Sequence, residues 1–257
     1  MVNTPYKMTP LAIIDQSMFK QLEEGYGVSL RVFSQALSGL SGDFWGGFTL
    51  SKHEFGLYIV DFCGHGMVAA LHAARLYGLM ESCHSLAMHP DRYMTLLNQK
   101  LYATLQTHEY ATMFYGVVNI KDHSMRYTTA GNPAVLRLGE KDHVHILKQG
   151  VGVPLGIEPH APYDMRETIF LENDALFLYS DALIETKDKQ GKYLDEMAVC
   201  RLFKEQAAIY AHLPSPERFN QMFKALVSLV KRDYIANLED DLTMCLVARA
   251  ALKRNME

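Results

Sequence analysis

The sequence predicts an α+β protein in which antiparallel sheets carry helices on their outer faces. Predicted strands occur in consecutive blocks, whereas a parallel sheet would need them to alternate with helices. Short connections of the hairpin type join successive strands at residues 51–54, 122–123 and 139–142. The long helical patterns lie after these blocks, so the helices are free to cover the sheets.

Bulk properties limit the class of protein. A chain of 257 residues with 49% hydrophobic content suits one large domain, or a domain with a short extension. The formal net charge of -4 argues against nucleic acid as the main partner. No long apolar segment or signal-peptide pattern predicts a membrane partner. Four cysteines without C-x-x-C spacing favour reduced thiols in a cytoplasmic protein: Cys63, Cys83, Cys200 and Cys245.

Residues 8–24 predict an amphipathic helix that ends near Gly25 and Gly27. Its apolar face is formed by Leu11, Ile14, Met18 and Leu22. This helix either packs on the domain, or pairs with a second copy of itself or with an upstream sensor module. We therefore predict an N-terminal helix or linker over 1–24 and the main domain over 25–257.

The elements of the main domain follow from hydrophobic periodicity and turn residues. Strands are predicted at 28–36, 44–50, 55–62, 111–120, 124–129, 134–138, 143–147, 166–171, 175–179 and 242–248. Helices are predicted at 67–89, from Pro90 to about 106, at 194–210 and at 216–234. The helix over 67–89 is apolar on all sides, which predicts that it is mostly buried.

Aspartates stand at the rims of four apolar strands, at Asp43, Asp61, Asp181 and the doublet Asp240-Asp241. If the sheets bring these rims together, the carboxylates converge, and like charges at close range cannot all stay ionised without a cation. A site rich in aspartate oxygen favours Mg²⁺ or Mn²⁺. For any one of these residues alone, an ordinary turn or helix cap is the alternative.

Seven motifs in this order resemble those of the metal-dependent Ser/Thr protein phosphatases (PPM type), and most of all their bacterial SpoIIE-like branch. They are Ser-Gly-Asp43-Phe-Trp, Asp61-Phe-Cys-Gly-His-Gly, Ala111-Thr-Met-Phe-Tyr-Gly-Val, Ala130-Gly-Asn-Pro, Pro154-Leu-Gly-Ile, Leu178-Tyr-Ser-Asp181-Ala and Asp240-Asp-Leu-Thr. The resemblance covers about residues 25–250. It implies that 25–257 is a PPM-type phosphatase domain, a four-layer αββα sandwich of two packed antiparallel sheets flanked by helices.

The resemblance also implies a site for two ions, Mn²⁺ or Mg²⁺. Asp61 would bridge them, the backbone carbonyl of Phe62 would bind one, Asp181 and Asp240 would bind the other, and Asp43 would bind directly or through water. The nucleophile would be a metal-activated water, so Asp61 and Asp181 would act in catalysis through that water.

Three positions depart from the family pattern. Serine replaces glycine at Ser41 and threonine at Ser180, and both changes are mild. Ala182 replaces a glycine, and we expect strain if its backbone needs a positive φ. Because the aspartates are intact, an active enzyme is favoured over a weakened one.

His65 and Cys63, which lie within these motifs, each have two interpretations. His65 is a candidate proton donor to the leaving serine oxygen, but capping the next helix or orienting the loop is the favoured alternative. Cys63 is a redox switch or, more simply, a small buried hydrophobe. No arginine is assigned to the phosphate, although Arg75 or Arg166 could fold into the site.

The leading functional hypothesis is a metal-dependent phosphatase of phosphoserine or phosphothreonine proteins. The resemblance implies a phosphorylated STAS-like substrate of the anti-sigma-factor-antagonist type, in bacterial partner-switching signalling. It also implies that the helices over 67–89 and after Pro90 can shift and act as a regulatory switch. Two alternatives remain: a weak or inactive phosphatase-fold module that binds a signalling partner, and a hydrolase of small phosphoesters.

Overall fold

A computed structural model describes residues 16–133, 135–148 and 151–250. Its α-helices are α1 Gln16–Tyr26, α2 Met67–Ser82, α3 Pro90–Tyr102, α4 Ala182–Glu185, α5 Glu196–Ile209 and α6 Glu217–Asp233. Its strands are β1 Val28–Gln35, β2 Phe44–Thr49, β3 Glu54–Phe62, β4 Ala111–Asn119, β5 Ser124–Ala130, β6 Val135–Leu138, β7 Val144–Leu147, β8 Val151–Gly152, β9 Arg166–Ile169, β10 Ala175–Tyr179 and β11 Leu242–Arg249. None of the helices within these residues is long and apolar enough to cross a membrane.

The strands form two sheets, with the orders β1-β11-β10-β6-β7 and β2-β3-β4-β5-β8, and β9 also pairs with β5. All pairs are antiparallel except the short β5–β8 pair, which is parallel. Residues of α2 and α3 pack on the outer face of the second sheet, and residues of α5 and α6 pack on the first. A third apolar cluster fills the space between the sheets. The predicted αββα sandwich is confirmed.

Strand alternation decides which side chains face the space between the sheets. In β3, Leu57 and Ile59 lie in the cluster between the sheets, whereas Val60 and Phe62 lie in the cluster under α2 and α3. Asp61 shares the parity of Leu57 and Ile59, so it points between the sheets at the end of the strand. Strand β3 is buried from Phe55 to its end, so Asp61 and Phe62 are buried as well.

Helix α1 packs on the domain, as one of the two alternatives predicted. Leu22 and Tyr26 are buried in the cluster between the sheets, and the Tyr26 hydroxyl donates to the Ser51 carbonyl at 2.6 Å. The helix runs through Gly25 and ends at Tyr26. Residues 8–15 lie outside the described residues, so pairing with a partner and the boundary between 24 and 25 stay predictions.

The predicted elements differ from the observed ones mainly at helix ends. Helix α2 stops at Ser82, and a separate 3-10 turn spans His84–Leu86, so the predicted helix over 67–89 is two elements. Helix α3 stops at Tyr102 rather than near 106, and the Thr104 hydroxyl then donates to the Leu101 carbonyl at 2.9 Å. Strand β8 and helix α4 were not predicted because they are too short to show a period.

Candidate functional site

Asp43 and Asp61 lie side by side at one end of the second sheet. Strands β2 and β3 pair antiparallel with Phe44 opposite Val60, which places the residue before β2 next to the end of β3. Both side chains are only 6% exposed. Their carboxyl groups are close enough to act on each other's pKa.

The opposite sheet brings Asp181 and Asp240 to the same end. Asp181 lies two residues after β10 and is the N-cap of α4, while Asp240 lies two residues before β11. The Asp181 carboxylate acts on the pKa of Asp61 and on that of Asp240. The four predicted aspartates therefore form a chain of neighbours in the order Asp43, Asp61, Asp181 and Asp240.

Burial and mutual repulsion raise the pKa values of this cluster. Desolvation is the largest cause at Asp43, whose pKa is also raised by the charge of Asp241. Desolvation again leads at Asp61, where the charges of Asp43 and Asp181 further raise the pKa. The pKa of Asp240 is raised by partial burial and then by Asp241 and Asp181. The charges that act most strongly here are negative, so the cluster favours binding of a cation.

The Asp43 carboxylate is the one in this cluster whose two oxygens are both buried without a hydrogen bond. The hydroxyls of Thr243 and Ser180 lie near enough to lower its pKa, but less than burial raises it. An unpaired buried carboxylate is costly unless it is neutralised. Carboxylate oxygens are the ligands that a hard divalent cation prefers. The residues present therefore fit a metal ion.

The aspartates do not form a complete coordination site as they stand. Within the described ranges, no three histidine, cysteine, aspartate or glutamate side chains are arranged together as a metal-binding group. Asp61 interacts with Asp43 and Asp181, and Asp240 with Asp181, so the carboxylates act on one another as successive pairs.

Three glycines shape the backbone around Asp61. A Cβ atom on Gly42 would lie 2.9 Å from the Ala69 Cβ and 3.2 Å from the Phe62 carbonyl oxygen, so only glycine fits there without a shift. Gly64 and Gly66 have φ of +81° and +84°, and they turn the chain from β3 into α2.

The Phe62 ring is buried beneath α2, where it stacks on His72 at 5.7 Å between ring centroids. Metal binding by the Phe62 carbonyl stays a prediction.

His65 is exposed at the rim of the cluster. Its imidazole acts on Asp240 and lowers the pKa of that carboxylate, although less than burial raises it. Gly66, rather than His65, is the N-cap residue of α2. The helix-capping alternative for His65 is therefore wrong, while proton donation and loop orientation stay predictions.

The expected strain at Ala182 is wrong. Ala182 is the first residue of α4, and it is absent from the described residues with positive φ. Its methyl group is buried, so alanine fits this helical position without backbone strain.

The Ser180 hydroxyl is also buried and bridges two strands, since it donates to the Asp241 carbonyl at 3.3 Å and accepts from the Thr243 amide at 2.9 Å.

The two arginines considered for the phosphate bond elsewhere. Arg75 donates to the Thr104 carbonyl at 2.9 Å, and Arg166 contacts Asp164 at 3.2 Å.

Cys63 and the other three cysteines are free thiols, as predicted. The Cys63 sulfur donates to the His108 carbonyl at 3.6 Å and accepts from the Tyr110 amide at 3.3 Å, so it joins the end of β3 to the start of β4.

Sequence reasoning missed Glu185 and Tyr110 at this site, and it assigned no role to Asp241. Glu185 lies on α4, where burial and then the charges of Asp181 and Asp240 raise its pKa. The pKa of Tyr110 is raised by burial first, and then by charges that include Asp181 and Asp61. Asp241 is buried and binds two backbone amides of the loop before β2. The acidic doublet in the sequence marks Asp241. Glu185 has no such signal, because its place in the site depends on the short helix α4, which was not predicted.

Sequence comparison identifies relatives of this chain. The chain is 27% identical over 180 residues to the phosphoserine phosphatase RsbP of Bacillus subtilis, an alignment that covers 68% of this chain and 42% of RsbP. It also matches the protein IcfG of Synechocystis, and the chain spans less than half the length of either relative.

Solved structures share the fold. The SiaA-PP2C domain of Pseudomonas aeruginosa superposes with a TM-score of 0.73 at 16% identity, covering 90% of each chain. The PP2C phosphatase domain of SpoIIE from Bacillus subtilis, with a fragment of its regulatory domain, gives 0.68 at 19% identity, covering 87% of this chain and 64% of that one. Residues 51–250 match the family described as Stage II sporulation protein E (SpoIIE). With most of the domain matched and the aspartate cluster in place, the chain belongs to the SpoIIE family of PPM-type phosphatases.

Proposed function

We propose that this protein is a Mn²⁺- or Mg²⁺-dependent phosphatase of phosphoserine or phosphothreonine proteins. The observation that carries the proposal is the convergence of buried aspartates, above all Asp43, whose two buried oxygens lack a hydrogen-bond donor. Family membership and the similarity to a phosphoserine phosphatase support it. The structural relative RsbX, at 15% identity and a TM-score of 0.59, was solved in complex with magnesium.

The proposed ligands of two ions are Asp43, Asp61, the Phe62 carbonyl, Asp181 and Asp240. When bound, divalent ions lower the pKa of a coordinated water and neutralise charge on the phosphoryl oxygens. The chain contributes the arrangement of the ligands. Asp61 lies between Asp43 and Asp181, which suits the bridging position. The buried Ser180 hydroxyl ties β10 to β11 and so fixes the spacing of Asp181 and Asp240.

The proposed substrate is a small phosphorylated STAS-like protein of a bacterial partner-switching pathway. This follows from the resemblance to the SpoIIE-like branch and from the similarity to RsbP. Since Arg75 and Arg166 bond elsewhere, the phosphate would be held mainly through the metals. Selectivity would then come from contacts with the whole phosphoprotein. A cytoplasmic location is part of the same proposal.

Replacement of Asp61 or Asp181 by asparagine should abolish phosphate release, because each change removes a negative ligand from the centre of the cluster. The expected loss in kcat exceeds the roughly 10- to 100-fold typical of changing a group behind a metal ligand. It is measured with Mn²⁺ on a phosphoserine STAS-type protein and on p-nitrophenyl phosphate. Asp233→Asn is the matched control, since that aspartate pairs with Arg232 on the surface of α6.

The same assay separates the alternatives. A wild-type protein that binds no Mn²⁺ by calorimetry and releases no phosphate would be a binding module instead. Turnover of small esters far above that of any phosphoprotein would indicate a small-phosphoester hydrolase.

His65→Asn tests the proposed proton donor. Release of a serine alkoxide needs a proton, whereas p-nitrophenolate leaves readily without one. The variant should therefore lose about 10²-fold in kcat on the phosphoserine protein and little on p-nitrophenyl phosphate. Equal losses on both substrates would favour the loop-orienting role, and His53→Asn at the β2–β3 turn is the control.

Asp43→Asn should stabilise the metal-free protein. Burial raises the pKa of Asp43 to about 8, so its protonated form is favoured in the folded state, and stability is lost as the pH rises from about 4 through that value. In EDTA we expect the variant to exceed the wild type in Tm by about 2–8 °C near pH 9, and by less near pH 5. Mn²⁺ should raise the Tm of the wild type more than that of the variant. A Tm difference that does not depend on pH would contradict this account.

The N-terminal segment is the proposed dimer or sensor contact. A truncated chain that starts at residue 16 keeps Leu22 and Tyr26, which pack into the domain, but loses the predicted apolar positions Leu11 and Ile14. We expect this truncation to lower the oligomeric state, measured by light scattering, or to change the phosphatase activity. Unchanged mass and activity would exclude a role of residues 1–15 in either.

A further inference from the structure

We propose that Asp241 is a positioning residue for the metal ligand Asp43. Its carboxylate joins the loop of residues 36–43 to the start of β11 and thereby sets the place of Asp43. This inference rests on the proposed function, because it assigns Asp43 to the metal site.

Both oxygens of Asp241 are engaged by the loop. One accepts the Leu37 amide at 2.7 Å and the other accepts the Gly42 amide at 2.9 Å. The side chain is 2% exposed, so these bonds are shielded from water. Hydrogen bonds to an ionised acceptor are about twice as strong as neutral ones. Because the two amides lie at opposite ends of the loop, one carboxylate fixes the whole segment.

The position of Asp43 depends on this loop more than on its own side-chain contacts. Its carboxylate oxygens accept no hydrogen bond, while its amide donates to the Ser41 hydroxyl at 3.0 Å. Gly42, the preceding residue, is packed against the Phe62 carbonyl and Ala69 on the side of α2. Gly42 is thus held between the Asp241 carboxylate and the end of β3. A shift of Gly42 would move Asp43 away from Asp61.

The two aspartates of the doublet have separate tasks. Asp240 is close to Asp181, whereas Asp241 is directed towards the loop. The Asp241 amide donates to an Asp240 carboxylate oxygen at 2.8 Å, and the Asp241 carbonyl accepts from the Ser180 hydroxyl at 3.3 Å. Asp241 therefore connects the loop that carries Asp43 to the strand ends that carry Asp181 and Asp240.

Asp241→Asn is the primary test. Asparagine keeps the shape of the side chain, but its NH₂ group cannot accept an amide hydrogen, so one of the two bonds is lost. We expect the affinity for Mn²⁺, measured by calorimetry, to fall about 10- to 100-fold, as is typical when a group behind a metal ligand is changed. At saturating Mn²⁺ the kcat on p-nitrophenyl phosphate should return close to the wild-type value. Hydrogen exchange of residues 36–43 should also become faster in the metal-free variant.

Asp174→Asn is the matched control. Asp174 is equally buried and pairs with Arg137 at 2.6 Å, in a part of the first sheet where it has no contact with the four aspartates. This variant should lose stability while the folded protein keeps its Mn²⁺ affinity. If Asp241→Asn weakens Mn²⁺ binding no more than Asp174→Asn does, Asp241 is only structural and the inference is wrong.

A second variant covers the case in which Asp241→Asn does not fold. Leu37→Pro removes one of the two N–H groups at an exposed position and leaves every carboxylate intact. It should also weaken Mn²⁺ binding, and a wild-type affinity would overturn the inference. A wild-type protein that binds no Mn²⁺ would overturn the proposed function as well, whereas normal wild-type binding with unchanged variants overturns this inference alone.

Discussion

The burial of several carboxylates at one end of two packed sheets is the constraint on which the rest of the site depends. Asp43 and Asp61 are almost fully buried, and their closest charged neighbours are other acids. Such an arrangement disfavours the ionised form and costs folding free energy. The fold tolerates it because extensive apolar clusters on both faces of each sheet hold the strand ends in place. The same rigidity that makes the charges costly also makes the cluster ready for a cation.

The residues alone predicted antiparallel sheets with helices on their outer faces and picked out four aspartate positions, whereas the four-layer sandwich was predicted through the family resemblance. The apolar run before Asp61, followed by Gly64 and Gly66, marks a buried strand that ends in a sharp turn, and the structure has both. Each aspartate follows or precedes an apolar run, which suggested that the strand ends could meet, but their convergence depended on the arrangement of the sheets. What the residues alone could not supply was the pairing order, since it depends on contacts between strands far apart in the chain, such as β10 with β11.

Other parts of the site depend on geometry that has no local signal. Whether Asp240 or Asp241 faces the cluster is set by the irregular backbone just before β11, where strand alternation does not apply. Glu185 joins the cluster only because α4 makes a single turn after Asp181. Ala182 illustrates the converse: a rule about glycine predicted strain, but the local conformation is helical and alanine is well suited to it.

The departures from the family pattern are thus compensated within the chain itself. The Ser41 hydroxyl accepts the Asp43 amide, so serine adds a bond that glycine could not make. The Ser180 hydroxyl joins β10 to β11, a role that threonine could also fill. Gly42, in contrast, has no room for a side chain between the Phe62 carbonyl and Ala69. These contacts support the proposal that the departures from the family pattern leave the site intact.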